Sequence, residues 1–81
     1  MFVTVLLFAR LRELAGVSEL RRGLPDGAVA RTAWESIVSD HAALAEFEPV
    51  ISCAVNEEYA RLTTPLNHGD EVAFLPPVSG G

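Results

Sequence analysis

The apolar and polar positions of the chain change period several times, and each change marks a new element. Phe2 to Phe8 is rich in β-branched and aromatic residues and too short for a stable helix, which predicts a strand. Val3, Val5 and Leu7 make one continuous apolar face, whereas the other face begins with Thr4, so the odd positions are expected to face the core and Phe8 to face outward. From Arg10 to Ala15 the spacing becomes helical, with Leu11, Leu14 and Ala15 on one side and Gly16 suited to the left-handed position that ends a helix. Ser18 to Leu24 sets Leu20 and Leu24 among Glu19, Arg21 and Arg22, a weak strand whose charges suit a sheet edge.

Pro25-Asp26-Gly27 is a strong turn signal. Beyond it, Val29, Ala33, Trp34, Ile37, Val38, His41, Leu44 and Ala45 follow the spacing of an amphipathic helix, with Ser39-Asp40 as an interruption, a second helical segment to about Glu46 and Pro49 closing the region. Ile51, Cys53 and Val55 alternate with Ser52, Ala54 and Asn56 as a half-buried strand. A shorter strand is expected over Tyr59 to Leu62, and the loop from Thr64 to Asp70 returns the chain to a last strand, Glu71 to Leu75. There Val72 and Phe74 face in, and Leu75 ends the strand facing out. This order describes an α+β fold with one sheet curled around one main helix. The first and last strands are the most hydrophobic, hence central neighbours; paired in parallel, they give the ubiquitin-like β-grasp.

Length and composition narrow the function. The 81 residues allow one domain with a small core, and 49% hydrophobic against 21% charged residues places it among globular chains. A single cysteine, Cys53, excludes an internal disulfide and fits a reducing, cytoplasmic setting. Eleven acidic residues face six arginines and no lysine, a net charge of -5 that disfavours nucleic acid and anionic membranes and favours a positively charged protein partner. The apolar opening has no basic residue before it and runs into Arg10 and Arg12, so no export leader is expected, and no run approaches a membrane span.

The ending carries the candidate chemistry. Pro76 and Pro77 lack the N–H that ladder pairing needs, so Pro76-Pro77-Val78-Ser79-Gly80-Gly81 is expected to leave the sheet as a tail spanning up to roughly 20 Å. Two glycines let the backbone pass a channel too narrow for any side chain, delivering the Gly81 carboxylate as the reactive group. The boundary between body and tail is placed after residue 75.

The runs GDEVAFLPPVSGG at Gly69 to Gly81, VLLFARLRELAG at Val5 to Gly16 and AVNEEY at Ala54 to Tyr59 together resemble the small, sulfur-carrying subunits of molybdopterin synthase, members of the ubiquitin-like β-grasp sulfur carriers. The resemblance spans nearly the whole chain, the main helix matching only by pattern. It implies that an adenylyltransferase of the ubiquitin-activating type uses ATP to adenylate Gly81, and that a sulfur donor protein replaces AMP to leave a thiocarboxylate. It further implies that this sulfur attacks cyclic pyranopterin monophosphate in the large synthase subunit, two transfers building the dithiolene of the molybdenum cofactor within a heterotetramer. By the same resemblance the carrier is expected to supply the nucleophile, with acid, base and phosphate pocket in the large subunit and no cofactor bound permanently. Phe8, Tyr59 and Leu75 fall where the family carries hydrophobic residues that contact both partners, and are expected to form a shared docking patch.

The remaining reactive side chains suggest nothing further. Cys53 alternates with Ile51 and Val55 on the inward face and reads as a small buried hydrophobe. His41, His68 and Cys53 lack the spacing of a metal site, and Asp70 and Glu71 point to opposite faces of a strand. Three classes stay open: the molybdopterin carrier, a carrier of the same fold for thiamine, cysteine or transfer-RNA thiolation, and a ubiquitin-like modifier or non-covalent binding module. The first two differ in recipient, not in tail chemistry.

Overall fold

The structure, a computed structural model, describes residues 1–77. The expectations placed on Val78, Ser79, Gly80 and Gly81 lie outside the described residues. Five strands form one mixed sheet: β1 (Phe2–Leu7), β2 (Glu19–Gly23), β3 (Ser52–Val55), β4 (Glu58–Ala60) and β5 (Glu71–Leu75), in the spatial order β2-β1-β5-β3-β4. β1 and β5 are parallel neighbours at the centre, pairing Thr4 with Glu71 through Leu7 with Phe74, and the other pairings are antiparallel. This is the β-grasp arrangement expected from the hydrophobicity of the two strands. β2 sits at one edge, where Arg21 and Glu19 can stay in water.

The parity of β1 holds. Val3, Val5 and Leu7 are buried together with Val72, Phe74 and Cys53 from the neighbouring strands, against Ala30, Ala33, Trp34 and Ile37 of helix α2 (Ala30–Asp40). Helix α1 (Ala9–Ala15) adds Leu11, and Gly16 ends it at φ 77°, donating its N–H to the Arg12 carbonyl at 2.8 Å, the role its sequence position suggested. No side chain of the Ser, Thr, Asp or Asn type caps α2. Its first amides are satisfied instead by the chain between β4 and β5: Ala30 donates to the Thr64 carbonyl and Arg31 to that of Leu62, at 2.9 and 2.8 Å, while Thr32 Oγ1 accepts from Val29 N–H.

Element boundaries shift from the sequence reading at several points, and three of the shifts have a clear local reason. β1 ends at Leu7 rather than Phe8, because Ala9 takes φ 50° and turns the chain into α1; Phe8 keeps an extended backbone and donates to the Phe74 carbonyl at 3.3 Å. The main helix does stop at Asp40, but the following segment is a 3₁₀ helix over Ala42–Val50 that includes Pro49 and runs past Glu46. Three residues per turn puts Leu44 and Phe47 on the inner side and leaves Ala45 exposed, contrary to the α-helical spacing assumed for it. β4 covers Glu58–Ala60 and stops short of Leu62, since Arg61 enters a turn in which Thr64 N–H donates to its carbonyl and Thr64 Oγ1 accepts its N–H. Among the described residues, no helix is long and apolar enough to cross a membrane.

Candidate functional site

The outward face of the sheet is where the expected docking residues meet. In the ladder, Leu6 pairs with Ala73, Ala73 with Ala54, and Ala54 with Tyr59, so these four side chains lie in one row across β1, β5, β3 and β4. Phe8 and Leu75 follow Leu6 and Ala73 at the same parity, one step toward the end of β5. Two alanines amid larger residues leave a depression of about 300 Å³, lined by Leu6, Phe8, Ala54, Glu57, Tyr59 and Leu75 among others. Tyr59 is 83% exposed and Phe8 41%, whereas Leu75 is half-buried. The three residues named from the sequence therefore share one apolar hollow. Leu6, Ala54 and Ala73 were not singled out there. Parity alone would have put Leu6 beside Phe8, but the alanines emerge only with the register of β3 against β5.

Position within the fold gives this hollow its interest. Leu75 is the last residue of β5, so Pro76 and Pro77 leave the sheet at its rim, Pro77 exposed. The root of that exit is held firmly from the other side: Phe74, one residue before Leu75, is fully buried beneath Trp34.

A second, more polar hollow of about 440 Å³ lies between the β3–β4 hairpin and the loop before β5, with Asn56, Glu58, Thr64, Asn67 and Asp70 on its walls. Asn56, Asn67 and Asp70 are engaged with each other and with β5. Asn56 Nδ2 donates to Asp70 Oδ1 at 3.0 Å, Asn56 Oδ1 accepts from Glu71 N–H at 3.0 Å, and Asp70 Oδ2 accepts from Asn67 N–H at 2.7 Å. These bonds fix the hairpin to β5.

The other reactive side chains are scattered. Cys53 is buried, its Sγ donating to the Ala60 carbonyl at 3.3 Å, and burial pushes the thiol above its ordinary pKa. His68 Nδ1 accepts Phe2 N–H at 3.0 Å at the far end of the sheet, and His41 sits at the end of α2. Among the described residues, no group of three or more His, Cys, Asp and Glu comes together as metal ligands would.

Residues 5–81 match the ThiS family across almost the entire sequence. The chain belongs to the ThiS family. Among its relatives, the molybdopterin synthase sulfur carrier subunit of Arabidopsis thaliana is 39% identical over 79 residues, covering 98% of this chain and 82% of that protein. Among solved structures, SAMP1 from Haloferax volcanii superposes with a TM-score of 0.87 at 33% identity, each chain covered in full. A chain from the complex of subunits 1 and 2 of the molybdopterin-converting factor of Helicobacter pylori superposes at 0.70 with 28% identity, again with both chains covered in full.

Proposed function

We propose that this chain is the sulfur-carrier subunit of molybdopterin synthase. The observation that carries the reading is the joint presence of a ThiS-family sequence reaching Gly81 and an apolar hollow at the point where the terminal segment leaves the sheet. Residues 1–75 act as a rigid body and residues 76–81 as the delivered tail. The Gly81 carboxylate is a poor acyl group, because its leaving group is an oxide; an adenylyltransferase spends ATP to make it an acyl adenylate, releasing pyrophosphate. A persulfide sulfur of the donor protein displaces AMP, and a thiol cleaves the resulting S–S bond to leave the thiocarboxylate.

The chain then docks its outer face, through Phe8, Tyr59 and Leu75, on the large synthase subunit. Pro76 and Pro77 direct Val78, Ser79 and Gly80 toward that subunit's cavity, where the Gly81 sulfur attacks a carbon of cyclic pyranopterin monophosphate and displaces an oxygen substituent, leaving the sulfur joined to Gly81 as a thioester. Water returns the acyl group to the carboxylate, and two such transfers complete one dithiolene. No resident cofactor is needed for this, since the sulfur is carried covalently and ATP is consumed by the activating partner. Binding energy comes from the exposed aromatic pair, a kind of residue that dominates protein interfaces. The setting is the reducing cytoplasm, where a thiocarboxylate persists.

Intact-mass analysis of the purified chain after incubation with the adenylyltransferase, ATP and the sulfur donor tests the reading. It predicts the gain of an oxygen-to-sulfur exchange at Gly81, and formation of molybdopterin when the charged carrier is mixed with large subunit and precursor. A chain lacking Gly81 should remain folded and inactive. The likeness to SAMP1 favours one other reading, attachment of Gly81 to lysine side chains of other proteins. In that case the mass label would appear on an acceptor protein and no molybdopterin would form.

A further inference from the structure

The β3–β4 hairpin turns through two residues, Asn56 and Glu57, since Val55 pairs with Glu58. Both have positive φ, 51° and 71°, the signature of a type I′ turn. Asparagine suits the first position and is held there by its bonds to Asp70 and Glu71. The second position favours glycine, and a glutamate there is strained, because its Cβ crowds the backbone in the left-handed region.

No bond among the described residues rewards that choice. Among the described residues, the Glu57 carboxylate enters no hydrogen bond and no ion pair, while the three ion pairs present engage Glu13, Asp40 and Glu48. Glu57 is exposed and lines the apolar hollow beside Tyr59, and Glu71 lines the same hollow. Glu58, next in sequence, belongs to the polar hollow instead. Arg21, which pairs with Thr4 on the outward face of β1, lies over the Phe2 ring at 5.6 Å rather than beside Glu57.

We infer that Glu57 is a specificity-determining residue of the docking face: its carboxylate pairs with a guanidinium or ammonium group that the large synthase subunit presents beside the apolar side chain filling the hollow. This rests on the carrier reading. It assigns to a single side chain the electrostatic part of a contact whose apolar part comes from Phe8, Tyr59 and Leu75. A rim charge of this kind acts on encounter and orientation, so its effect should fade as salt is raised.

The test compares wild type, Glu57→Gln, Glu57→Gly and Glu58→Gln for binding to the cognate large subunit, by surface plasmon resonance at low and high salt, with thermal melting of each variant. Glu57→Gln should melt like wild type and bind roughly two- to fivefold more weakly at low salt, with the difference lost at high salt. Glu57→Gly should melt higher, relieved of its strain, and yet bind as weakly as the glutamine variant. A merely structural residue could not gain stability and lose affinity together. Glu58→Gln should bind as wild type does. Wild-type affinity for Glu57→Gln, an equal loss for Glu58→Gln, or a Glu57→Gly chain no more stable than wild type would each overturn the inference while leaving the carrier reading in place. A wild-type chain that fails to bind the large subunit at all would overturn both.

Discussion

The indole of Trp34 meets the ring of Phe74 edge-on, with centroids 5.1 Å apart and planes at 60°, joining the main helix to the strand from which the tail departs. Both rings are fully buried. The indole Nε1 is buried too, without a hydrogen-bond partner among the described residues.

Two substitutions at position 34 should therefore differ widely. Trp34→Ala removes the largest buried side chain and should cost about 3–5 kcal/mol, much of the roughly 5–10 kcal/mol a domain of this size commands. Trp34→Phe also loses packing, but it sheds a buried donor whose desolvation costs about 1–3 kcal/mol, so its net cost should stay below about 1.5 kcal/mol. Urea denaturation of the two variants checks the contrast; equal losses would mean that the indole N–H is satisfied after all.

Asn56 should matter more than its exposure suggests. It bridges the hairpin to β5 through two side-chain hydrogen bonds and sits at φ 51°, so Asn56→Ala loses both bonds and places a Cβ in a backbone region that asparagine tolerates better. A loss of about 1–2 kcal/mol is expected, with faster amide exchange at Glu71. Asn56→Gly should recover part of the loss, because it restores the turn without the bonds.

Much of this architecture was legible in the sequence because its signals are local. Alternation exposed the inward faces of β1, β3 and β5, and Gly16 marked the end of α1. The hydrophobicity of β1 and β5 placed them at the centre, and parity turned Phe8 and Leu75 outward. What stayed hidden depends on partners distant along the chain. The 3₁₀ character after Asp40 is decided by how Leu44 and Phe47 pack, which α-helical spacing cannot anticipate. Ala54 and Ala73 become the floor of the hollow only through the register of β3 on β5. The strain at Glu57 follows from a two-residue turn, which only the pairing of Val55 with Glu58 defines.

Cys53 should behave as packing rather than chemistry. Burial raises its pKa, so the folded state holds the thiol proton more tightly than the unfolded chain does. The sign follows: below the ordinary thiol pKa the two states bind that proton equally, and above it the unfolded chain ionises first, so stability falls as pH rises through the gap. Denaturation midpoints measured on the alkaline side should decline for wild type and flatten in Cys53→Ala. The same variant should carry and transfer sulfur normally, and iodoacetamide should label native Cys53 far more slowly than the urea-unfolded chain. Rapid labelling of the native protein would place the thiol at the surface.

The outer face makes the sharpest separation between fold and function. Tyr59 is almost wholly exposed, so its truncation removes no core contact, and Tyr59→Ala should shift stability by less than about 0.5 kcal/mol. An exposed aromatic that costs nothing to lose in the free protein is costly to lose in a complex, where its ring is the surface taken out of water; truncating such an anchor typically weakens binding by about 2 kcal/mol or more. Isothermal titration against the large subunit should then show a loss of roughly thirtyfold or greater, with an unchanged melting curve. Leu75 divides differently, since it is half-buried and ends β5 beside Phe74, so Leu75→Ala should lose both stability and affinity. If Tyr59→Ala binds normally while Leu75→Ala does not, the partner engages the hollow from the β5 end, near the departing tail, and the β4 end is free.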